Sequence, residues 1–248
     1  MSTIYVLWLR QVKRYYRARS RLVGSLGQPL LFLVAFGFGF GSIYKRAVGG
    51  NYIEFLAPGI ILMGVLFTAV FTGIEVIWDR QFGFLKETLV APVPRFQIML
   101  GRTLGGATVA TVQGIVVFVL TLFFGLRPQN IFLLPVALAF VFLVAFLFTS
   151  LGTAIASILE DMQGFQLIMN FLVMPIFFLS GALFPLQGLP KAIEVITRVD
   201  PLAYGVDAVR GLLISTSQFG LLSDFGVITV VALAFLGIGS YLFQRIQI

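Results

Sequence analysis

The sequence has no cysteine and no histidine, and only 11% of its 248 residues are charged. Without cysteine there is no disulfide framework, no thiolate nucleophile and no thiolate-held metal. Without histidine there is no Ser-His-Asp triad, no imidazole metal site and no histidine proton relay. A soluble globular domain carries about 25% charged residues. The charges here are too few to cover a water-facing surface, and 59% of the residues are hydrophobic. A soluble domain, a disordered tail and a fibrous protein are all excluded. The four lysines, Lys13, Lys45, Lys86 and Lys191, never follow a glycine. A Gly-Lys-Ser/Thr phosphate loop is therefore missing, and the chain is not itself a P-loop ATPase.

What is present is apolar length. The mean hydropathy is +1.02. A membrane helix needs about 20 mostly apolar residues, at about 1.5 Å of rise per residue. Stretches free of Asp, Glu, Lys and Arg lie between Arg21 and Lys45, Glu54 and Glu75, Arg102 and Arg127, Arg127 and Glu160, Asp161 and Lys191, and Asp224 and Arg245. The fourth is longer than one span needs, so its helix is expected to start near Ile131. The runs are continuously apolar rather than alternating, which selects helices over barrel strands. The expected fold is an all-α membrane protein with six transmembrane helices.

Six spans put both termini on one side. The net charge of +7 is topological rather than the footprint of a nucleic-acid partner. Arg10, Lys13, Arg14, Arg17, Arg19 and Arg21, the loop residues Arg80, Lys86, Arg95 and Arg102, and Arg245 place eleven of the 17 basic residues on the face that carries the termini. That face is expected to be cytoplasmic. The inner turn at Glu160 and Asp161 is discordant, because it has no basic residue of its own. The N-terminus does not read as a cleaved signal peptide, since its basic region is long and the apolar run from Leu22 to Tyr44 suffices to span. Before that run, Ile4, Trp8, Val12 and Tyr15 recur at helical spacing, which predicts an amphipathic helix on the inner membrane surface over residues 1–21. The Gly-rich run at residues 36–41 lies inside the first span. Gly37 and Gly41 there read as a close-packing pair rather than a dinucleotide loop.

Two segments are not ordinary loops. Between the second and third spans, Phe82, Leu85 and Leu89 follow helical spacing, and Pro92 and Pro94 stop the helix. This short cytoplasmic helix, near residues 82–91, needs a surface on which to bury its apolar face. Residues 184–224 are too apolar for a solvated outer loop. Pro190 opens a pattern with Ile193, Ile196 and Val199 on one side, and Glu194 precedes Arg198 by four, the favourable orientation for a surface pair. Asp200 can cap a second helix with Pro201 at its first position, and Leu202, Val206, Val209 and Leu213 give that helix an apolar face. Two short helices dipping into the outer leaflet are expected before a sixth span over residues 225–244, with spans one to five in 22–183. A flat external cap is the other arrangement this pattern allows.

Glu75 and Asp79 lie one turn apart at the inner end of span two. They are either interfacial carboxylates paired with Arg80 or the basic loop, or a proton-coupling pair. Asp207 has no partner aspartate deep in a span, so intramembrane proteolysis finds no support. No catalytic residue and no metal ligand set is expected.

The stretch Gly83-Phe-Leu-Lys-Glu87-Thr-Leu89-Val-Ala-Pro92-Val93 resembles the cytoplasmic coupling motif of ATP-binding-cassette exporters of the second permease type. Phe177-Phe-Leu-Ser180-Gly181-Ala-Leu-Phe184-Pro185, then Leu189-Pro190 and Asp200-Pro201-Leu202-Ala203-Tyr204 through Arg210, resembles the same family's signature before span six. The resemblance covers nearly the whole chain. Asp200 and Ala203 stand where the family often has Asn and Ser or Thr. The resemblance implies a single permease domain over residues 1–248, paired with a second permease subunit as a homodimer, and with two copies of a separate ATPase that carries ATP and Mg. It assigns ATPase coupling to Phe82, Leu85, Glu87, Leu89 and Pro92. It assigns the re-entrant segment to Ser180, Gly181, Phe184, Pro185, Asp200, Pro201, Tyr204 and Arg210. It further implies export of an amphiphilic drug-like molecule or a lipid-linked glycan across a bacterial or archaeal plasma (inner) membrane. A proton-coupled secondary transporter using Glu75 and Asp79 remains the alternative.

Overall fold

The computed structural model describes residues 2–47, 49–85, 88, 93–186 and 190–244. The described residues are predominantly helical and contain no strand. The helices are α1 (Thr3–Arg17), α2 (Arg19–Ala47), α3 (Tyr52–Phe71), α4 (Ile74–Gln81), α5 (Arg95–Phe123), α6 (Leu134–Ile158), α7 (Met162–Leu179), α8 (Lys191–Val199), α9 (Pro201–Ile214) and α10 (Leu221–Gln244), with a 3₁₀ turn at Ile131–Leu133 leading into α6. Six helical stretches are long and apolar enough to cross a membrane: Val23–Arg46, Tyr52–Gln81, Arg95–Phe123, Ile131–Ile158, Met162–Leu179 and Leu221–Gln244.

The helices begin where side-chain oxygens can satisfy the first free amides. Ser2 accepts from Tyr5 N, Asn51 from Ile53 N, Asn130 from Phe132 N and Asp161 from Gly164 N. Prolines lie inside the spans at Pro29, Pro58 and Pro175, a residue that membrane helices carry more often than soluble ones. Two spans run more than a helical turn past a charge that bounds their charge-free run. The second continues past Glu75 through α4 to Gln81, and the third starts at Arg95, so that Arg102 lies inside it. The reason is ion pairing, described below: a neutralised charge need not end a span.

The bundle is organised around α3, which is buried continuously from Phe55 to Leu66 and packs on α2, α5, α6 and α9. By contrast α2 and α7 keep large apolar faces exposed, including Leu31, Phe38 and Ile43 on α2 and Leu167, Phe171 and Phe178 on α7. Of the two glycines expected to pack closely in α2, a Cβ at Gly37 would meet Ile53 Cγ1 at 3.1 Å, whereas one at Gly41 would meet nothing within 4 Å.

Candidate functional site

The inner site begins on α4. One helical turn separates Glu75 from Asp79, so both project from the same side, and both are buried. Asp79 is held by two guanidinium groups: Arg10 donates to its Oδ1 and Arg102 to its Oδ2, each at 2.6 Å. Arg14 lies 3.4 Å from Glu75 Oε2 and 3.8 Å from Asp79 Oδ1. The Arg14 guanidinium also sits 5.6 Å from the Trp78 ring centroid, and that of Arg10 is 6.0 Å from Phe84. The carboxylates are therefore paired, and the partners are Arg10 and Arg14 of α1 and Arg102 rather than Arg80.

Arg80 points the other way. It donates to Ser157 O at 2.8 Å and to Leu159 O at 3.1 Å, while Gln81 Nε2 donates to Glu160 O at 3.1 Å. The last carbonyls of a helix have no partner within it. Here α4 supplies donors to the end of α6 and to the turn before α7. This also resolves the inner turn that has no basic residue of its own, because Arg80 brings a positive charge to within 3.9 Å of Glu160.

Helix α1 packs lengthwise on α5. Gly101 and Gly105 open the groove: a Cβ at Gly101 would meet Leu7 Cβ at 3.0 Å, and one at Gly105 would meet Gln11 Cβ at 2.6 Å. Trp8 Nε1 donates to Thr108 Oγ1 at 3.0 Å, and Tyr15 OH donates to Gln113 Oε1 at 2.8 Å. Leu7, which lay outside the expected apolar stripe, is the buried residue of α1. Its only sequence signal is its place one turn after Ile4. Tyr5, Val6 and Tyr16 form an outward, exposed apolar strip.

After α4 the chain turns at Phe82 and Gly83, where Gly83 has φ +80°. This break separates two residues expected on one face: Phe82 is exposed, whereas Leu85 is buried. Thr88 Oγ1 donates to Phe84 O at 3.1 Å, one turn back, so helical geometry resumes after the break. Glu87, Leu89 and Pro92 lie outside the described residues.

The outer site is built around Arg210 of α9. Its guanidinium donates to Gly181 O at 3.0 Å and Phe55 O at 3.3 Å, and stacks 4.0 Å from the Phe55 ring centroid. Gly181 has φ +74°, which lets its carbonyl turn toward the arginine after α7. Burial pushes the Arg210 guanidinium down to about 10, opposed by Asp207, Tyr44 and Tyr52. Ser180 Oγ donates to Phe177 O and accepts from Ala182 N, and Tyr52 OH donates to Leu183 O at 2.7 Å. Phe184 and Pro185 then line an aromatic cleft of about 400 Å³ with Phe36, Tyr44 and Tyr52.

The two short outer helices follow in the expected order. Asp200 caps α9 by accepting from Leu202 N at 2.9 Å, with Pro201 at the first helical position. Tyr204 OH donates to Arg198 O at 2.8 Å, and Glu194 and Arg198 pair at 2.7 Å. Leu202, Val206, Val209 and Leu213 are buried. The expected face of α8 is rotated. Thr197 is its buried residue, donating to Leu179 O at 3.0 Å, and Ile196 and Val199 are exposed. The sequence reading found no role for Asp207. Its carboxylate gathers Ser217 Oγ, Gln218 N and Phe219 N at 2.8–2.9 Å, which shapes the turn into α10.

A bundle of six long apolar helices, with a charged junction at one end and two short helices at the other, defines a polytopic membrane protein. Residues 2–214 match the ABC-2 type transporter family, and the chain belongs to it. It is 28% identical to the putative transport permease ycf38 of Cyanophora paradoxa, over 99% of this chain and 89% of that protein. It is 26% identical to nodulation protein J of Sinorhizobium fredii, over 96% and 93%. The inner membrane transport permease YadH of Escherichia coli K12 is 28% identical, also over 96% and 93%.

Proposed function

We propose that this membrane permease is the transmembrane subunit of an ATP-driven exporter that moves an amphiphilic drug-like molecule or a lipid-linked glycan outward by alternating access. Two copies would pair, with the exposed faces of α2 and α7 available for that contact. Two separate ATPase subunits would bind ATP and Mg and dock on the segment from Phe82 to Pro92. Both termini would be cytoplasmic in a bacterial or archaeal inner membrane. Helix α1 would sit at the inner interface with Tyr5, Val6 and Tyr16 toward lipid, and α8 and α9 would dip into the outer leaflet.

The observation that carries the reading is the double pairing of Asp79. The segment after Gln81 leaves α4 directly beyond a carboxylate that binds α1 through Arg10 and α5 through Arg102. A rigid displacement of that segment would be passed to three helices at once, because packed elements shift as bodies. The same pairing speaks against proton coupling, since both Asp79 oxygens already accept charge-assisted bonds.

The test is reconstitution. The pure chain should hydrolyse no ATP, and hydrolysis should appear with an ATPase partner that co-purifies. Glu87→Arg should weaken that assembly or uncouple hydrolysis from export, whereas Glu194→Arg on the outer face should not. An interfacial charge pair is commonly worth about 1–5 kcal/mol. Robust ATP hydrolysis or substrate transport by the chain alone would overturn the reading.

A further inference from the structure

Between α7 and α8 lies a crevice of about 400 Å³ that none of the outer-site contacts uses. Ile176 and Leu179 form one wall, Val195 and Val199 the other, beside the bend-prone Pro175. At its end sits Asp200, only 7% exposed. Its Oδ1 accepts from Leu202 N, whereas its Oδ2 is buried and has no hydrogen-bond partner among the described residues. A carboxylate has acceptor sites on both oxygens, and buried ones are normally filled.

We propose that this crevice is a binding site for a primary alkylammonium amphiphile, with Asp200 as its counter-ion and the α7 and α8 side chains around its chain. The chemistry narrows the ligand in three ways. A single carboxylate among aliphatic walls offers too few oxygens for a divalent cation. A guanidinium prefers both carboxylate oxygens, but the Leu202 amide already occupies Oδ1. A quaternary ammonium has no N–H to give Oδ2. A primary ammonium is a compact point donor that fits one free oxygen, and an alkyl chain fits the walls.

The surroundings are compatible with a cation. On α8, Glu194 and Arg198 neutralise each other at 2.7 Å, and Lys191 lies eight residues from Val199, about 12 Å along the helix. On α9 the nearest titratable side chain is Tyr204, whose OH is committed to Arg198 O. Helix α7 carries no titratable side chain. Burial lifts the Asp200 carboxyl to about 7 against the lowering by the Leu202 amide, so an ammonium has an unmet electrostatic need to fill. This inference goes beyond the exporter reading and is tested without the ATPase.

The experiment uses the full chain in lipid nanodiscs at pH 8, where the carboxylate predominates. A decylamine bearing a chain-terminal diazirine is photolysed and its adducts are mapped by peptide mass spectrometry. Saturable labelling of the α7 and α8 peptides is expected, falling at least fivefold in Asp200→Asn. Asparagine still accepts from Leu202 N and is as good a cap as aspartate, so the charge alone is removed. The decanol and decyltrimethylammonium analogues should label the wild type no better than the amine labels Asp200→Asn. Lys191→Gln, about 12 Å along α8 from Val199, should leave labelling unchanged, and Ile176→Trp, which fills the crevice, should abolish it. Equal labelling of the wild type and Asp200→Asn, equal labelling by amine and alcohol, or labelling that survives Ile176→Trp would overturn the site. Should Asp200→Asn fail to fold, Ile176→Trp and the alcohol comparison still decide.

Discussion

Asp79 and Arg102 meet at 2.6 Å with each side chain only 3% exposed, although 22 residues and a helix break separate them in the chain. A buried pair of this kind adds little net stability, because desolvation offsets attraction, but removing one member strands the other. Asp79→Asn should therefore destabilise the protein by about 3–5 kcal/mol, read as a lower thermal midpoint in nanodiscs. Glu194→Gln, which breaks an exposed pair, should cost no more than about 1 kcal/mol. Equal effects from the two would refute a buried inner pair.

The α1 groove yields a geometric prediction. Because the chain has no cysteine, Leu7→Cys combined with Gly101→Cys introduces a single possible disulfide. The two Cβ positions lie about 3.0 Å apart, slightly inside the usual spacing of about 3.5–4.5 Å. Oxidation should link α1 to α5 nearly completely, seen as a gel shift. A control pair using exposed Tyr16→Cys with Gly101→Cys should stay reduced.

Arg210 should tolerate no substitute. Arg210→Met leaves Phe55 O and Gly181 O without their donor, and each unsatisfied buried group costs about 1–3 kcal/mol. Arg210→Lys keeps the charge but loses the planar guanidinium that stacks on the Phe55 ring while its Nη2 reaches both carbonyls. Both variants should lower the thermal midpoint, with Met worse than Lys. A neutral result for Met would show that the outer staple is dispensable.

Asp200 predicts a pH dependence. Its folded-state value of about 7 lies above the ordinary carboxylate value of 3.8, because burial disfavours the charge. The folded state then prefers the protonated form. The resulting stability is complete below about pH 4 and is lost as pH rises through 7. The slope approaches about 1.4 kcal/mol per pH unit between those limits. Subtracting the Asp200→Asn stability curve from that of the wild type between pH 4.5 and 8 should reveal a decline, and a flat difference would contradict the burial argument.

Topology is open to direct labelling. Single cysteines at Gln81→Cys and Thr216→Cys should react with an impermeant reagent from opposite sides of the membrane. Reaction of both in intact cells would reverse the orientation inferred from the basic residues.

The six spans were legible because long apolar runs between charges survive in one dimension. What was hidden was pairing. Arg102 read as the boundary of the third span, since a charge looks the same whether water or Asp79 receives it. Pairing was one of the two readings open for Glu75 and Asp79, yet their partners on α1 could not be found, because 61 to 69 residues separate them. Cap positions such as Asp200 were recoverable, since a cap and its helix adjoin in the chain. The Asp207 cage was not, because two of its three donors are backbone amides, which every loop possesses. The α8 face was misjudged because its apolar residues face outward while Thr197 makes the contact, a reversal that hydrophobic spacing cannot register.

The pairing of α1 with α5 has a consequence for biogenesis. Trp8 and Thr108 are 100 residues apart, and Tyr15 and Gln113 are 98 apart. At a synthesis rate of about 5–20 residues per second, α1 leaves the ribosome on the order of ten seconds before its groove exists. Its ion-pair partners emerge earlier, Glu75 61 residues after Arg14 and then Asp79 69 residues after Arg10, so an electrostatic tether forms before the Gly101 and Gly105 surface arrives. Nascent chains halted before the third span should leave α1 open to protease, and those extended beyond it should protect it. The first helix made is among the last to reach its final seat.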